Sequence, residues 1–599
     1  MARPTRTTVA AATLIVAALI VRTVVAARGD FYWDDLILIG RSTDHPVLSW
    51  GYLGHSHDGH FMPGAFLIAG LSTLAAPLQW WLPALTLVLL QLLASLAVWR
   101  MITVVAPRAP RIGLAALACY LFVPMTLPAF TWWSAGLNSL PLQAGMAVVV
   151  AAAVLLMRPD VPAARRRRLV AGALAAFVLA LLFFEKSLLI APVAVAAALL
   201  AVHLDRQRSD AGSAPLLSVC WRRGRALWLP LLLIFLAWAV LYLAFSGVTA
   251  GDHTLSQTAA LVWRSVHEGI VPALAGGPWF WDRWIPSPPM GMPPAALIAV
   301  GWVLAIGAVA LAVRRRRGAG AVWACAVVYA IGAQLPVMWN RSSAGTALEL
   351  AQTLRYLPDT ALVLALAIAF TGAAPARTAA APARPRIRQG VGVLVVLTLI
   401  ASSLASTATF SRSWRDDPTG AYLSTAAGEL SAHPGLVMFD QPVPLEVLSP
   451  MAYPYNQISR VFGRLPQRPR FGRHTDELWV LDSNGRLVPG AVSPVREIPA
   501  GPGSCGRPPD GPAELTLSGP VIEWTWTVGL SYCADRSGEI AVRLGRDQLQ
   551  VPVQAGLHSL YVQLSGRGQT LELTPLTPGL ALHTGAGRVG EPIVGAFAP

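Results

Sequence analysis

Uncharged apolar runs recur along this chain, and they constrain its fold more than any other feature. Residues 391–408 (VGVLVVLTLIASSLASTA) and 292–313 are two of them. A soluble core needs no such run, whereas about 18 to 20 apolar residues in a helix cross a hydrocarbon layer about 30 Å thick. Composition agrees: 54% of the 599 residues are hydrophobic and 13% are charged, against about 25% charged in soluble domains, and the mean hydropathy is +0.53. The spacing predicts roughly eleven transmembrane helices, near residues 8–27, 80–105, 112–128, 140–157, 169–184, 187–204, 227–246, 292–313, 319–338, 356–373 and 390–408. The first has Arg3 and Arg6 before it and Ala26 and Ala27 behind it, as a signal peptide would. The apolar segments that follow make it a retained anchor instead. The stretch 63–77, between Pro63 and Pro77, is short and reads as a helix lying at the membrane surface.

The net charge of +15 does not point to nucleic acid, because the basic residues do not cover a soluble face. They sit in short runs between apolar segments: Arg165–Arg168, Arg222/Arg223/Arg225, Arg314–Arg317 and Arg384/Arg386/Arg388. That is the footprint of cytoplasmic loops. With the N-terminus inside, the outside loops before residue 409 carry only Arg28, Arg41, Lys186, Arg264, Arg283, Arg341 and Arg355. Inside positions exceed them roughly threefold, which sets the orientation, and an odd number of spans then places residue 409 onward outside the cytoplasm. Two outside loops are long, 28–62 and 247–291. The second holds an amphipathic stretch with Leu261, Val262, Val266 and Ile270 on one side, then a Trp/Pro cluster suited to the membrane interface.

The transmembrane domain is therefore expected over 1–408. Residues 409–512 read as an extracytoplasmic linker and mixed α/β region, and 513–599 as an antiparallel β-sandwich of short alternating runs such as AELTLSG, EIAVRLG and HSLYVQLSG. Cys119, Cys220 and Cys325 lie in or beside apolar segments, whereas Cys505 and Cys533 share the C-terminal part. In an oxidising compartment those two are expected to form a disulfide.

The first outside loop is dense in chemistry. Asp34 and Asp35 follow Phe31, Tyr32 and Trp33, and Asp44, His45, His55, His57, Asp58 and His60 come after. Carboxylates at a membrane face among aromatics are functional candidates, although the outward bias of acids also explains a merely solvated loop. Adjacent carboxylates can supply a general base and a partner that positions the nucleophile or holds a metal. Asp35, His57 and His60 are a candidate set for a divalent metal ion, though the spacing matches no fixed zinc pattern. His55, His57 and His60 can equally hydrogen-bond sugar hydroxyls. Asn340–Arg341–Ser342 matches a glycosylation sequon, a pattern short enough to arise by chance. No Walker loop, dinucleotide fingerprint or Gly-x-Ser-x-Gly elbow is present, so ATP-driven transport by this chain is not expected.

The paired acid in the first outside loop, about a dozen helices and an external C-terminal domain together resemble the GT-C superfamily of membrane glycosyltransferases. Trp33–Asp34–Asp35 is similar to the paired aspartates of the actinobacterial arabinofuranosyltransferases, and mannosyltransferases share the architecture. An Ala/Arg-rich, lysine-poor composition suits a high-GC actinobacterium. The resemblance implies transfer of a sugar, with inversion, from a polyprenyl phosphate to a cell-envelope glycan, lipid or protein acceptor at the outer face of the plasma membrane. It implies a carbohydrate-binding role for 513–599. It makes Asp34 and Asp35 the catalytic pair, with Asp34 favoured as the base. The leaving phosphate requires cations, and Arg355, Arg341 and Lys186 are the candidates, with Asp359 four residues after Arg355 to orient it on one helical face. Glu185 joins the histidines on the acceptor or sugar side. A membrane-anchoring role for Arg355 and a charged hairpin tip at Glu185–Lys186 are the plain alternatives. No cofactor is demanded beyond the metal ion the loop can accommodate. The partners are the lipid-linked donor, the envelope acceptor and the bilayer. A lipid-linked glycan transporter or flippase would need charges along its helices, and a non-catalytic envelope-assembly protein would not need the acid-rich loop.

Overall fold

The computed structural model describes residues 5–209, 214–245, 253–377, 385–501, 504–505 and 511–595. The expected inside segment at 378–384, with Arg384, the first residues of the second long loop and Arg3 lie outside these. The chain divides into two compact units: residues 1–38 with 44–417, and residues 39–43 with 418–599.

The first unit is helical. Among the described residues of the chain, eight helical stretches are long and apolar enough to cross a membrane, or nine if Pro110–Phe122 and Pro124–Thr131, bent by 50° at their junction, make one span. Pro124 explains that break, since proline cannot donate to the preceding turn. All eleven expected segments are helical, but two fall short as spans. Ala163–Leu181 opens on Arg165–Arg168, and Pro358–Ala373 has 16 residues. The expected surface helix is present as Pro63–Ala75. Trp133–Leu156 forms the axis of the unit, with 83% of its apolar window buried. Trp81–Val105, Ala163–Leu181 and Ile190–Ser209 pack around it. Its buried face is small and apolar (Gly145, Ala147, Ala151, Ala153), and a side chain at Gly145 would meet Ala180 at 2.8 Å. Close helix approach through small residues is how such bundles pack in lipid.

The second unit opens with the helix Thr419–Ala432 and becomes sheet-rich. The domain boundary expected at 408/409 falls inside the helix Pro385–Arg415, and the unit begins at Pro418. The expected separation of a linker from the sandwich is corrected as well. Arg496–Ile498 and His474–Thr475, both before residue 513, are strands of the same seven-stranded sheet as 513–590. Two strands dominate that sheet, Ala513–Ala534 with 22 residues and Gly556–Pro575 with 20. They pair along most of their length, with register shifts around Val521. The first half of Ala513–Ala534 lies beside 570–573, next to Gly538–Leu544, while its second half pairs with Leu582–Gly590. Leu515 and Leu517 from one half and Val528 and Leu530 from the other share one buried cluster. The sheet therefore folds over itself around a single core. Cys505 and Cys533 are disulfide-bonded, with Cα atoms 5.3 Å apart.

Candidate active site

The two acids of the first loop have different fates. Both lie in the first turn of the helix Asp34–Asp44, where the positive end of the helix dipole favours carboxylates. Trp33, just before it, has φ +44°, a costly conformation for a bulky residue and one that accumulates at functional sites. Successive helical positions diverge by about 100°, so the side chains part company. Asp35 is wholly buried. Its oxygens accept from the backbone N–H of Tyr32 at 3.0 Å and of Ser134 at 2.8 Å, tying the loop to the start of the central helix. Burial, assisted by the charge of Asp34, pushes its pKa up to about 8 against those hydrogen bonds. Asp34 keeps 23% of its side chain exposed and faces His57, Oδ1 to Nε2 at 3.4 Å.

His57 is carried by a tight hairpin, Ser56–His57 paired with His60–Phe61, in which His57 lies opposite His60. The turn is Asp58–Gly59, both with positive φ (48° and 80°), the sign pattern of the two-residue turn that favours Asp-Gly. Its two histidines reach different acids. His60 Nδ1 lies 2.8 Å from Glu185 Oε1, while His57 goes to Asp34. At 3.4 Å the His57–Asp34 contact is an ion-pair distance, and buried His57 Nε2 has no hydrogen-bond partner among the described residues. Burial opposes charge on both partners. For Asp34 it is outweighed by His57, Arg355 and Arg341, which hold its carboxyl below the usual range. For His57 it is outweighed by Asp34, which raises the imidazole.

The expected cations are disposed unequally. Lys186 is buried, its Nζ 2.8 Å from Asp359 Oδ1 and donating to the Tyr356 carbonyl at 2.9 Å. That corrects its assignment as a phosphate ligand, because its charge is already matched. It also corrects the expected Arg355–Asp359 pairing: the helix starts at Pro358, after Arg355, so the two do not share a helical face. Arg264 faces Glu268 and Glu349, and Arg283 pairs with Asp417. Among the described residues no carboxylate forms an ion pair with Arg341 or Arg355. Arg355 follows Leu354, which has φ +54°. Its guanidinium stacks on Trp132 (4.6 Å) and Tyr356 (4.8 Å) and donates to the Tyr356 hydroxyl at 2.6 Å, while Nε, buried, has no hydrogen-bond partner among the described residues. Arg355 and Arg341 hold the Tyr356 phenol below its ordinary range although burial acts the other way.

The site thus gathers Asp34, His57, Asp58, Arg341, Arg355 and Tyr356, with the His60–Glu185 pair flanking it. His55 packs its ring against Phe66. The metal set expected from the sequence is not assembled: Asp35 spends its oxygens on backbone donors and His60 turns to Glu185. Asp34, His57 and Asp58 come together instead, with ligand atoms within 4.8 Å of one another, a donor set that can hold one divalent cation. Tyr356 and Trp132 were not foreseen. The Asp-Gly turn was the available signal for the hairpin that presents His57 and His60. Nothing local marks Tyr356.

No family model matches the chain and no curated protein does. Similar solved structures include ArnT from Cupriavidus metallidurans bound to undecaprenyl phosphate, at 17% identity and TM-score 0.37, covering 77% of this chain and 89% of that one. The arabinofuranosyltransferase AftD from Mycobacteria is similar at 13% identity and TM-score 0.37, over 97% of this chain and 60% of its own. The archaeal oligosaccharyltransferase AglB from Archaeoglobus fulgidus, in complex with an inhibitory peptide and a dolichol-phosphate, is similar at 13% identity and TM-score 0.35, over 76% and 64%. At these identities and TM-scores no activity and no residue's role passes from them to this chain.

Proposed function

We propose that this chain is a GT-C-type membrane glycosyltransferase that moves a sugar from a polyprenyl phosphate to an envelope glycan, lipid or protein acceptor at the outer face of the membrane. The observation that carries the reading is a partly exposed, charge-stabilised Asp34 in the field of two arginines, Arg341 and Arg355, that form no ion pair among the described residues. The acceptor hydroxyl gives its proton to Asp34 as its oxygen bonds to the anomeric carbon. The bond from that carbon to the phosphate oxygen breaks from the opposite face, inverting the centre. The leaving phosphate takes the electron pair and meets Arg355, Arg341 and the Tyr356 hydroxyl, which are fixed in place before charge develops. His57 holds Asp34 in register, and His60 with Glu185 offers hydrogen bonds to sugar hydroxyls. A divalent cation, when bound, would lie on Asp34, His57 and Asp58 and add positive charge beside the phosphate.

The test is incubation of purified protein with a panel of radiolabelled polyprenyl-phosphate sugars and envelope acceptors. Release of polyprenyl phosphate together with labelled acceptor is the expected result. Labelled lipid crossing a vesicle bilayer unchanged, with no release from any donor, would make the chain a transporter.

A further inference from the structure

The chain's one lysine is buried beside the site without belonging to it. Lys186 is 8% exposed and Asp359 2%. Asp359 splits its oxygens, Oδ1 to Lys186 at 2.8 Å and Oδ2 to the Tyr329 hydroxyl at 2.7 Å. The second contact of Lys186 is the carbonyl of Tyr356, which Gln334 also reaches at 3.4 Å. That carbonyl closes a corner of unusual backbone: Leu354 is left-handed, Arg355 follows, and the next helix starts at Pro358. Leu354 and Leu357 are buried, so the corner is anchored on both sides of Arg355. A β-carbon-bearing residue without a polar side chain gains nothing locally from φ +54°. The surroundings must therefore hold it there, and the only formal charge seen on this backbone among the described residues is that of Lys186.

We propose that Lys186 and Asp359 are a buried positioning pair. Lys186 clamps the Tyr356 carbonyl, this fixes the left-handed corner, and the corner aims the Arg355 guanidinium and Tyr356 hydroxyl at the lipid phosphate. Asp359 and Tyr329 hold the ammonium in place. Lys186 touches no substrate; it acts through Arg355 and Tyr356. The inference rests on the reading of Arg355 as a phosphate ligand. It also explains why a cation expected to bind phosphate, one of the few in the outside loops, is spent on an internal carboxylate.

The experiment compares binding of a polyprenyl phosphate and of the corresponding polyprenyl alcohol to detergent-solubilised full-length protein. The ratio of the two affinities isolates recognition of phosphate from that of the chain. Lys186→Met alone would leave Asp359 charged and buried, so the working variant is Lys186→Met with Asp359→Asn, which keeps an acceptor for Tyr329 and removes both charges. We expect the preference for phosphate to fall about tenfold or more, as small displacements of an aligned group do, with affinity for the alcohol unchanged. Because the pair acts through Arg355 and Tyr356, adding it to Arg355→Ala with Tyr356→Phe should cost nothing further. An unchanged preference in the double variant, or losses that add on the background lacking both Arg355 and the Tyr356 hydroxyl, overturns the proposal. A parallel loss for phosphate and alcohol reduces the pair to general packing and overturns it too. Wild-type protein with no preference for phosphate would bring down the functional reading itself, and this inference with it.

Discussion

Two groups of charge lie in the helical unit, and they are built on opposite principles. Around Lys186 every charge is matched: ammonium to carboxylate, carboxylate to phenol, ammonium to carbonyl. Around Asp34 the matching is incomplete. One carboxylate lies 3.4 Å from a histidine, while two arginines make no ion pair among the described residues. A matched buried pair is stable and inert, and truncating either partner is costly. Unmatched cations next to a partly exposed acid are poised for an anion that arrives from outside. The contrast separates what holds the site from what acts in it.

The comparison can be broken by removing one charge from each group. The largest effect is expected for Lys186→Met alone, which should lower stability by about 3 to 5 kcal/mol; it would be followed by denaturation in detergent, and a melt like wild type would show the pair is not matched. Asp34→Asn should lower the melt far less than Lys186→Met and reduce sugar transfer at least about a hundredfold, as expected for loss of a general base, with donor binding retained. Its neighbour sharpens the point. Asp35→Asn should lower the melting temperature, because its oxygens serve backbone donors at Tyr32 and Ser134. If Asp35→Asn instead kills transfer in a fully folded protein, the two aspartates have been assigned the wrong way round. Arg355→Ala should weaken donor binding about ten- to hundredfold, the range for hydrogen bonds to charged groups, with Arg355→Lys recovering part because a point charge cannot reproduce the fork. Equal binding by wild type and both variants would make Arg355 a membrane anchor.

The smallest effect concerns pH. Asp34 titrates below the usual carboxylate range because His57, Arg355 and Arg341 outweigh burial. Its ionised form is then present above pH 3.8, and both its catalytic competence and its stabilising charge are lost only as pH falls through the lower folded value. The acid limb of kcat/KM should therefore lie below the ordinary carboxylate range. Arg341→Gln should move that limb upward, because one of the charges that hold Asp34 ionised is gone. A downward or absent shift in kcat/KM profiles would detach Arg341 from the site.

The apolar segments of the fold were legible in the sequence because length and hydropathy suffice for them. The number of spans was less so. Pro358–Ala373 is short, Ala163–Leu181 opens on four arginines, and no periodicity reveals how either sits in a bilayer. Within the site, adjacency marked Asp34 and Asp35 but could not divide their work, which depends on Ser134 about a hundred residues away. The Arg355–Asp359 spacing misled because an i,i+4 rule holds only inside a helix, and Pro358 starts the helix too late. Lys186–Asp359 and His60–Glu185 are contacts across 173 and 125 residues, set by tertiary packing and carrying no local signature. In the C-terminal unit, alternation announced strands, but not that two of them would be long enough to serve both halves of the sheet.

The solitary lysine has an experimental consequence. Apart from a terminal α-amine, this chain has a single primary amine, and that amine is enclosed. Acylating reagents attack only an uncharged amine that reaches solvent, so the rate at which Lys186 is labelled is a clock for excursions of the Tyr356 corner away from its closed state. The label needs no engineered tag, and the modified peptide identifies itself by mass. Donor lipid added before the reagent should slow that clock, turning an ordinary labelling kit into a gauge of how tightly the corner is shut.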